Sequence, residues 1–312
     1  MRLMKRFLLQ VAVFSVITLA FYAWVLSRAN GYTDAFYLRF TSPRQSSLVL
    51  GTSRAAQGIL PSVLDEKLDK KFYNFSFSIL HSPYGPVYLR SIRKKLDEKT
   101  RDGIFILAVD PWGISSKTAD PNDSTNFREA KVALGNTPFV NTKPNFWYLI
   151  KNFDGQYYKI LKKTNGNMLL HDDGWLEVTV PMDSAVLATR LAEKIQTYRA
   201  ENLPAFRYSS LRLDYLKKTI EFLKEHGKVY LVRLPMHPGI FQIEQEFMPD
   251  FNQKIGQLVP ETSGYYDMTA MNGEFLYTDA NHLYKESGKI VSCRIAEWIR
   301  TGQYPLDSSC NH

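Results

Sequence analysis

The chain has few of the residues that build metal and thiol chemistry. Its 312 residues include only two cysteines, Cys293 and Cys310, and six histidines. The cysteines lack the spacing of zinc ligands and no Cys/His cluster stands elsewhere, so we expect no metal and no organic cofactor. Cys293 falls in a predicted helix and Cys310 in a loose tail, which leaves a disulfide and two separate thiols both open.

Nucleic-acid recognition motifs, internal repeats and low-complexity tracts are also missing. The formal net charge of +8 includes three basic residues ahead of the first apolar run. The basic run from Arg90 to Lys95 is followed by Asp97 and Glu98, a pattern typical of a solvated helix face. A hydrophobic share of 45% with 13% aromatic residues is typical of a globular protein. We therefore expect a folded body that does not bind nucleic acid.

The only long hydrophobic run lies at the N-terminus, from Phe7 to Leu26. Its length fits a helix that spans the bilayer. Basic residues precede the run, which predicts a cytoplasmic N-terminus and a body on the outer side. The segment Ala20–Ala23 lacks the spacing of a cleavage site, so an uncleaved anchor is favoured over a cleaved signal peptide. The sequence thus predicts a single-pass protein of the cell's inner (cytoplasmic) membrane, with its body periplasmic or extracytoplasmic.

Short apolar runs alternate with amphipathic segments through the body. Strands are predicted near residues 46–50, 72–75, 104–109, 229–232 and 265–268, and helices near 61–70, 86–96, 211–226 and 284–299. This alternation predicts an α/β fold with a parallel sheet. It lapses at about 115–208, where an aromatic-rich insertion with a helix near 184–201 should project over the C-terminal strand ends. The predicted organisation is an anchor at 1–29, a linker at 30–45, a domain at 46–302 and a tail at 303–312.

Two short motifs carry the chemistry. Ser53 follows the first predicted strand, where a serine is more often a turn residue or a helix N-cap than a nucleophile. Asp279 precedes His282 by three residues, which lets the carboxylate hold the Nδ1 proton and leaves Nε2 free as a base. A capping Asp279 beside a surface histidine is the plainer alternative. Both motifs follow strands and so reach one sheet edge, where together they predict a Ser-His-Asp acyl-transfer site.

The pattern Gly-x-Ser-x-Gly of the α/β-hydrolase nucleophile elbow is absent, because Ala55 stands where the second glycine would be. The segments Gly51–Arg54 and Asp279–Leu283 instead resemble the first and last blocks of the SGNH (GDSL-like) hydrolase superfamily. The chain resembles the exported, membrane-anchored SGNH-like proteins that accompany membrane-bound O-acyltransferases. The resemblance covers residues 45–115 and 205–302. It implies a three-layer sandwich with a five-stranded parallel sheet between helices, and the insertion seen in this sequence would follow the third strand.

The resemblance also implies the roles of the site residues. Ser53 would be the nucleophile, His282 the base and Asp279 the acid that orients it. The implied activity is that of an O-acyl esterase or O-acyltransferase acting on a cell-surface polysaccharide or glycan through an acyl-enzyme. A membrane-bound O-acyltransferase is the partner implied. Water or a sugar hydroxyl would resolve the intermediate, and both outcomes stay open.

The chain departs from the family at its oxyanion donors. Ser76 or Ser78 stands in place of the glycine of the second block, and a backbone N–H would survive that change. Asp110 stands where the third block normally has asparagine. An ionised Asp110 would repel an oxyanion unless Arg54 neutralised it. This departure favours the alternative function, a catalytically silent accessory or binding partner of a membrane-bound O-acyltransferase.

Three further features are weaker candidates. His237 follows the fourth strand and is predicted to contact substrate or act as a second base, although packing a loop is the plainer role. Trp112, Trp147 and Trp175 would form a sugar-stacking wall in a carbohydrate-binding module, whereas buried aromatics are commoner. The run His171–Asp173 resembles a metal cluster, and a polar turn explains it equally well.

Overall fold

The computed structural model describes residues 1–162, 166–305 and 310. Its centre is a five-stranded, all-parallel sheet formed by β1 (Ser47–Leu50), β2 (Phe72–Asn74), β3 (Gly103–Ala108), β8 (Gly227–Arg233) and β9 (Gly264–Asp267). Across the sheet the strands lie in the order β2-β1-β3-β8-β9. Two antiparallel pairs stand apart from it: β4 (Ser115–Ser116) with β7 (Arg207–Tyr208), and β5 (Met168–Leu170) with β6 (Leu176–Val178).

The chain forms α-helices before, between and after these strands. They are α1 (Arg2–Ser27), α2 (Ser53–Gly58), α3 (Pro61–Leu68), α4 (Pro86–Lys95), α5 (Ala133–Asn136), α6 (Phe146–Asn152), α7 (Ser184–Thr197), α8 (Leu203–Ala205), α9 (Ser210–Lys224), α10 (Pro238–Phe247), α11 (Phe251–Gly256) and α12 (Lys285–Thr301). All five predicted strands and the four predicted body helices are present within a few residues of their expected bounds. The α/β fold with a five-stranded parallel sheet is therefore confirmed.

The sheet is buried on both faces, as its continuous apolar strands predict. Alternate side chains of β3 point to opposite sides, so Phe105 packs in one core with α4 and α9, and Ile106 packs in the other with α3 and α12. All six residues of β3 are buried. The result is three layers, helices above and below one sheet, and this arrangement brings the C-terminal strand ends to a single edge.

The segment 30–45 is not the free linker that the sequence suggests. Tyr37 and Phe40, in a 3₁₀ helix, are buried in the same core as α4. The side chain of Arg39 is also fully buried, and its guanidinium donates to the backbone carbonyls of Asn74 and Gly174 at 3.0 and 2.6 Å. Because these carbonyls give the buried cation its hydrogen bonds, the segment belongs to the body.

Helix α1 is long and apolar enough to cross a membrane. It is exposed along most of its length, and only Val25 and Leu26 near its end are buried. At the other end of the chain Cys293, in α12, forms a disulfide with Cys310. The question that the sequence leaves open for these cysteines is therefore decided in favour of pairing.

Candidate active site

Ser53 is the first residue of α2, directly after the turn that ends β1. The turn depends on Gly51, whose φ of +148° favours glycine. A Cβ at that position would lie 2.9 Å from the Cβ of Ala108 on β3. The tight passage leaves Ser53 half-buried at the edge of the sheet. Its N–H belongs to the first helical turn, where backbone donors have no partner within the helix.

Asp279 and His282 lie on a tight turn ahead of α12. Asp279 Oδ1 accepts hydrogen bonds from the backbone N–H groups of Asn281 and His282, at 3.2 and 3.0 Å. Ala280, which directly follows Asp279, is buried and has a φ of +64°, a left-handed conformation that costs a non-glycine residue energy. The Asp279 carboxylate thus stabilises the turn, and the turn places the His282 imidazole next to that carboxylate.

The structure brings the three predicted residues into one hydrogen-bonded chain. His282 Nδ1 lies 2.8 Å from Asp279 Oδ1, and His282 Nε2 lies 2.8 Å from Ser53 Oγ. Ser53 and His282 are 229 residues apart in the sequence. Since an ionised carboxylate only accepts, Nδ1 carries the proton and Nε2 is left to accept from the Ser53 hydroxyl. This is the geometry of an activated serine.

The charge on Asp279 is stabilised from two sides. Burial alone would raise the pKa of Asp279, but the His282 imidazole and the Lys194 ammonium outweigh it and hold this pKa well below its ordinary value. Lys194 Nζ lies 3.0 Å from Asp279 Oδ2. Lys194 belongs to α7 of the insertion, so the insertion reaches the C-terminal strand edge, as expected. Nothing in the sequence around Lys194 signals this contact.

Asn281 is a site residue that the sequence reasoning overlooks, although it lies inside the Asp279–His282 motif. Arg54 Nε and Nη2 donate to Asn281 Oδ1 at 3.0 and 2.8 Å. A guanidinium has donors only, so the amide oxygen must face Arg54 and the amide nitrogen must face the site. Asn281 Nδ2 accordingly lies 3.2 Å from His282 Nε2. The amide therefore stands beside the atom that would take the serine proton.

A buried charge network beneath the site fixes Arg54. Its Nη2 lies 2.7 Å from Glu244 Oε1, and Arg233 Nη2 lies 3.0 Å from Glu244 Oε2. Trp112 Nε1 also donates to Glu244 Oε1, at 2.8 Å. Burial alone would lower the pKa of Arg54, but the charges of Glu244 and then Asp110 outweigh it and raise this pKa. The sequence suggests Asp110 as the group that Arg54 neutralises, whereas the direct ion pair of Arg54 is with Glu244.

Asp110 is buried, and both oxygens of its carboxylate accept hydrogen bonds. Oδ1 accepts from the N–H of Gly113 at 2.8 Å and caps a short 3₁₀ helix, while Oδ2 accepts from the Thr52 hydroxyl at 3.1 Å. Burial raises the pKa of Asp110, and the Arg54 charge opposes that effect. Asp110 thus connects the loop after β3 to the turn that carries Ser53.

The two serines proposed as oxyanion donors have other partners. The N–H of Ser76 donates to Asn74 Oδ1 at 3.1 Å, and its hydroxyl donates to the carbonyl of Val49 at 3.3 Å. Ser76 is fully buried, so it is not an oxyanion donor. Ser78 Oγ lies 2.8 Å from His81 Nδ1 in a local loop contact. This second Ser–His pair makes Ser78 a useful control for Ser53.

His237 supports the catalytic turn through the backbone. Its N–H donates to the carbonyl of Ala280 at 2.9 Å, and its Nδ1 accepts from the N–H of Gly239 at 3.1 Å at the start of α10. Burial lowers the pKa of His237, which favours the neutral ring. The loop-packing role accounts for these contacts, and the predicted roles as second base or substrate contact gain no support from them.

The remaining candidates do not form sites. Trp112 and Trp175 are buried and Trp147 is 48% exposed, so the three do not line one sugar-stacking wall. His171 stacks on Trp175 with ring centroids 4.6 Å apart and pairs with Glu177. Within residues 1–162, 166–305 and 310, no group of His, Cys, Asp or Glu side chains could hold a metal ion.

Comparison with known proteins adds no family to this description. No family model matches the chain, and no curated protein matches it significantly. Function is therefore inferred from the site itself. The site contains a hydroxyl, a base that accepts its proton and a carboxylate that orients the base, all at one edge of a parallel sheet.

Proposed function

We propose that the chain is a membrane-anchored, serine-dependent O-acyl esterase or O-acyltransferase of the SGNH type. The observation that carries the proposal is the hydrogen-bonded chain Ser53–His282–Asp279, with 2.8 Å at each of its two side-chain contacts. Acyl esters of a cell-surface polysaccharide or glycan are the substrate class. A carbon–oxygen ester suits this site, because its cleavage needs a nucleophile and a group that carries the proton, and it needs no metal or organic cofactor.

The reaction begins when Ser53 Oγ attacks the ester carbonyl and His282 Nε2 takes the hydroxyl proton. The imidazolium that forms is stabilised by Asp279. Once protonated, Nε2 has no lone pair left to accept a hydrogen bond, so the Asn281 amide N–H beside it can donate to an oxygen of the tetrahedral intermediate. The N–H of Ser53 is a second donor. His282 then protonates the leaving alcohol, and water or a sugar hydroxyl resolves the acyl-enzyme by the reverse sequence.

The proposed location is the outer side of the cytoplasmic membrane, with the N-terminus of α1 inside and the body periplasmic or extracytoplasmic. Arg2, Lys5 and Arg6 precede the apolar run, which supports this orientation by the positive-inside rule. The disulfide between Cys293 and Cys310 is typical of an oxidising compartment. A tethered site lies next to membrane proteins, so a membrane-bound O-acyltransferase that supplies acyl groups is the proposed partner.

A silent accessory of such an acyltransferase is the second candidate. It is favoured because two expected oxyanion donors are missing. The N–H of Ser76 already donates to another group, and Asp110 has a carboxylate where the family has a side-chain amide. Loss of one such donor costs about 2.7–4 kcal/mol of transition-state stabilisation. The two candidates therefore differ in turnover, whereas they share the fold.

Hydrolysis of p-nitrophenyl acetate by the purified full chain separates the two candidates. We expect Ser53→Ala to lower kcat by about 10³-fold or more, because the hydroxyl is the nucleophile. Ser78→Ala is the matched control, since Ser78 also contacts a histidine at 2.8 Å and its loss should leave the rate unchanged. Equal rates for wild type and Ser53→Ala would move the assignment to the accessory.

A further inference from the structure

The exposed hydrophobic side chains of the body are concentrated in one part of the insertion. Beyond residue 28, the described part of the chain has eleven large hydrophobic side chains that are exposed, and seven of them fall within residues 139–168. Six of these seven side chains are Phe139, Phe146, Trp147, Ile150, Tyr158 and Leu161. We call these six, together with the lysines that lie among them in the sequence, the aromatic–lysine surface. Such a concentration on a folded body marks an interaction surface.

This surface adjoins the outer end of α1. The rings of Tyr22 and Tyr157 meet edge-on with centroids 5.2 Å apart, and Phe153 packs against Tyr157 at 5.8 Å. Tyr22 lies five residues before Ser27, the last residue of α1, which is about 7.5 Å along the helix axis at 1.5 Å per residue. Tyr157 therefore stands beside the last turns of the apolar helix, at the level where a spanning helix leaves the hydrocarbon core.

The charge of the surface fits anionic lipid. Residues 137–162 contain four lysines and one acid, Asp154, a formal charge of +3. All four lysines are exposed: Lys143, Lys151, Lys159 and Lys162. The ammonium of Lys151 lies over the Trp147 ring and that of Lys162 over the Tyr158 ring. Aromatic rings with long basic side chains beside them are typical of the membrane–water interface.

We propose that the aromatic–lysine surface lies on the outer leaflet, with its rings among the lipid headgroups and its lysines on lipid phosphates. Three observations agree on this occupant: continuity with α1, the exposed rings and the positive charge. The proposal depends on membrane insertion of α1 and is independent of esterase activity. Its consequence is that the body does not swing on a free tether, since α1 and this surface together fix its orientation on the bilayer.

Depth-dependent quenching in nanodiscs tests the proposal on the full chain. Ile150→Cys and Leu276→Cys are matched variants, because both side chains are 57% exposed and Leu276 lies outside the insertion. Each added cysteine is labelled with an NBD fluorophore while Cys293 and Cys310 stay paired. Discs contain phosphatidylcholine and phosphatidylglycerol with a spin-labelled lipid near the headgroup. We expect strong quenching at position 150 and little at position 276.

A charge variant tests the lysines. Substitution of all four lysines by glutamine should lower quenching at position 150 in discs that contain phosphatidylglycerol to the value seen with phosphatidylcholine alone. Equal quenching at positions 150 and 276 would overturn the membrane contact, and would leave the surface to a protein partner. If quenching at position 150 changed neither with lipid charge nor with substitution of the lysines, the proposed contact between the lysines and lipid phosphates would be overturned. Failure of α1 to insert is recognised separately, because the chain would not co-purify with the discs.

Discussion

Replacement of Asp279 by asparagine tests how the site activates its serine. Asp279 Oδ1 accepts from two backbone N–H groups and from His282 Nδ1, so the amide oxygen of an asparagine should take the same position. The turn is then preserved while the negative charge is lost. The hydroxyl of Ser53 keeps its neighbour Nε2, but the imidazolium that forms during attack loses its counter-ion. The variant therefore removes transition-state stabilisation with little change in shape.

The size of the effect follows from the contact distance. At 2.8 Å, an imidazolium–carboxylate pair is worth about 1.5 kcal/mol at the dielectric constant of water and about 6 kcal/mol at an effective value near 20. Both side chains are largely but incompletely buried, at 12% and 23% exposure, so the effect should fall between these limits. We expect kcat for p-nitrophenyl acetate to fall by roughly 10²–10⁴-fold, with KM little changed. A kcat within about threefold of wild type would refute the reasoning.

The same variant has a pH signature in stability. The folded-state pKa of Asp279 lies well below its ordinary value, because His282 and Lys194 outweigh the effect of burial. The carboxylate therefore contributes stability above the unfolded-state pKa of about 3.9, and this contribution is lost as pH falls through the folded-state pKa. The difference in unfolding free energy between wild type and Asp279→Asn should shrink on acidification. A difference that stays constant down to low pH would contradict the assigned contacts.

Three further substitutions test the surroundings of the site. Asp110→Asn should keep the esterase rate within about threefold of wild type, because both carboxylate oxygens serve structural donors; a gain above about tenfold would show that the charge opposes the oxyanion. Glu244→Gln should lower the unfolding free energy by about 3–5 kcal/mol in urea titrations, since the charge of Arg54 stays buried; an unchanged midpoint would contradict this. Cys293→Ser should cost about 3 kcal/mol, because the bond to Cys310 closes a 17-residue span, and a loss below about 1 kcal/mol would show a minor constraint.

Much of the fold can be predicted because the apolar residues of each strand or helix form a regular pattern in the sequence and are the residues that become buried. Strand β3 is an uninterrupted apolar run, and α12 repeats apolar residues at a helical period. The segment 30–45 could not be assigned in this way. Its Asn, Gly and Thr residues are typical of a loop, and the burial of Arg39 depends on carbonyl groups of β2 and the insertion. Helix α2 is also missed, because six residues are too few to show a period.

Some residues of the site can likewise be predicted from local sequence, and others cannot. Asp279 and His282 are close in sequence, so their spacing alone predicts the pair, and the edge of a parallel sheet then predicts the meeting with Ser53. Lys194 and Glu244 reach the site from distant helices, and no local pattern marks them. The contacts of Asp110 likewise depend on the loop geometry after β3. Sequence reasoning finds the groups that react, and tertiary structure adds the groups that hold them.

The central claim is that Ser53 is an activated nucleophile, and covalent labelling tests it most directly. The full chain is treated with a fluorophosphonate, digested and analysed by mass spectrometry. We expect one phosphonylated peptide that contains Ser53, and loss of that adduct in His282→Ala because the base is gone. A folded wild-type chain that carries no adduct at Ser53, or the same adduct with and without His282, would contradict it.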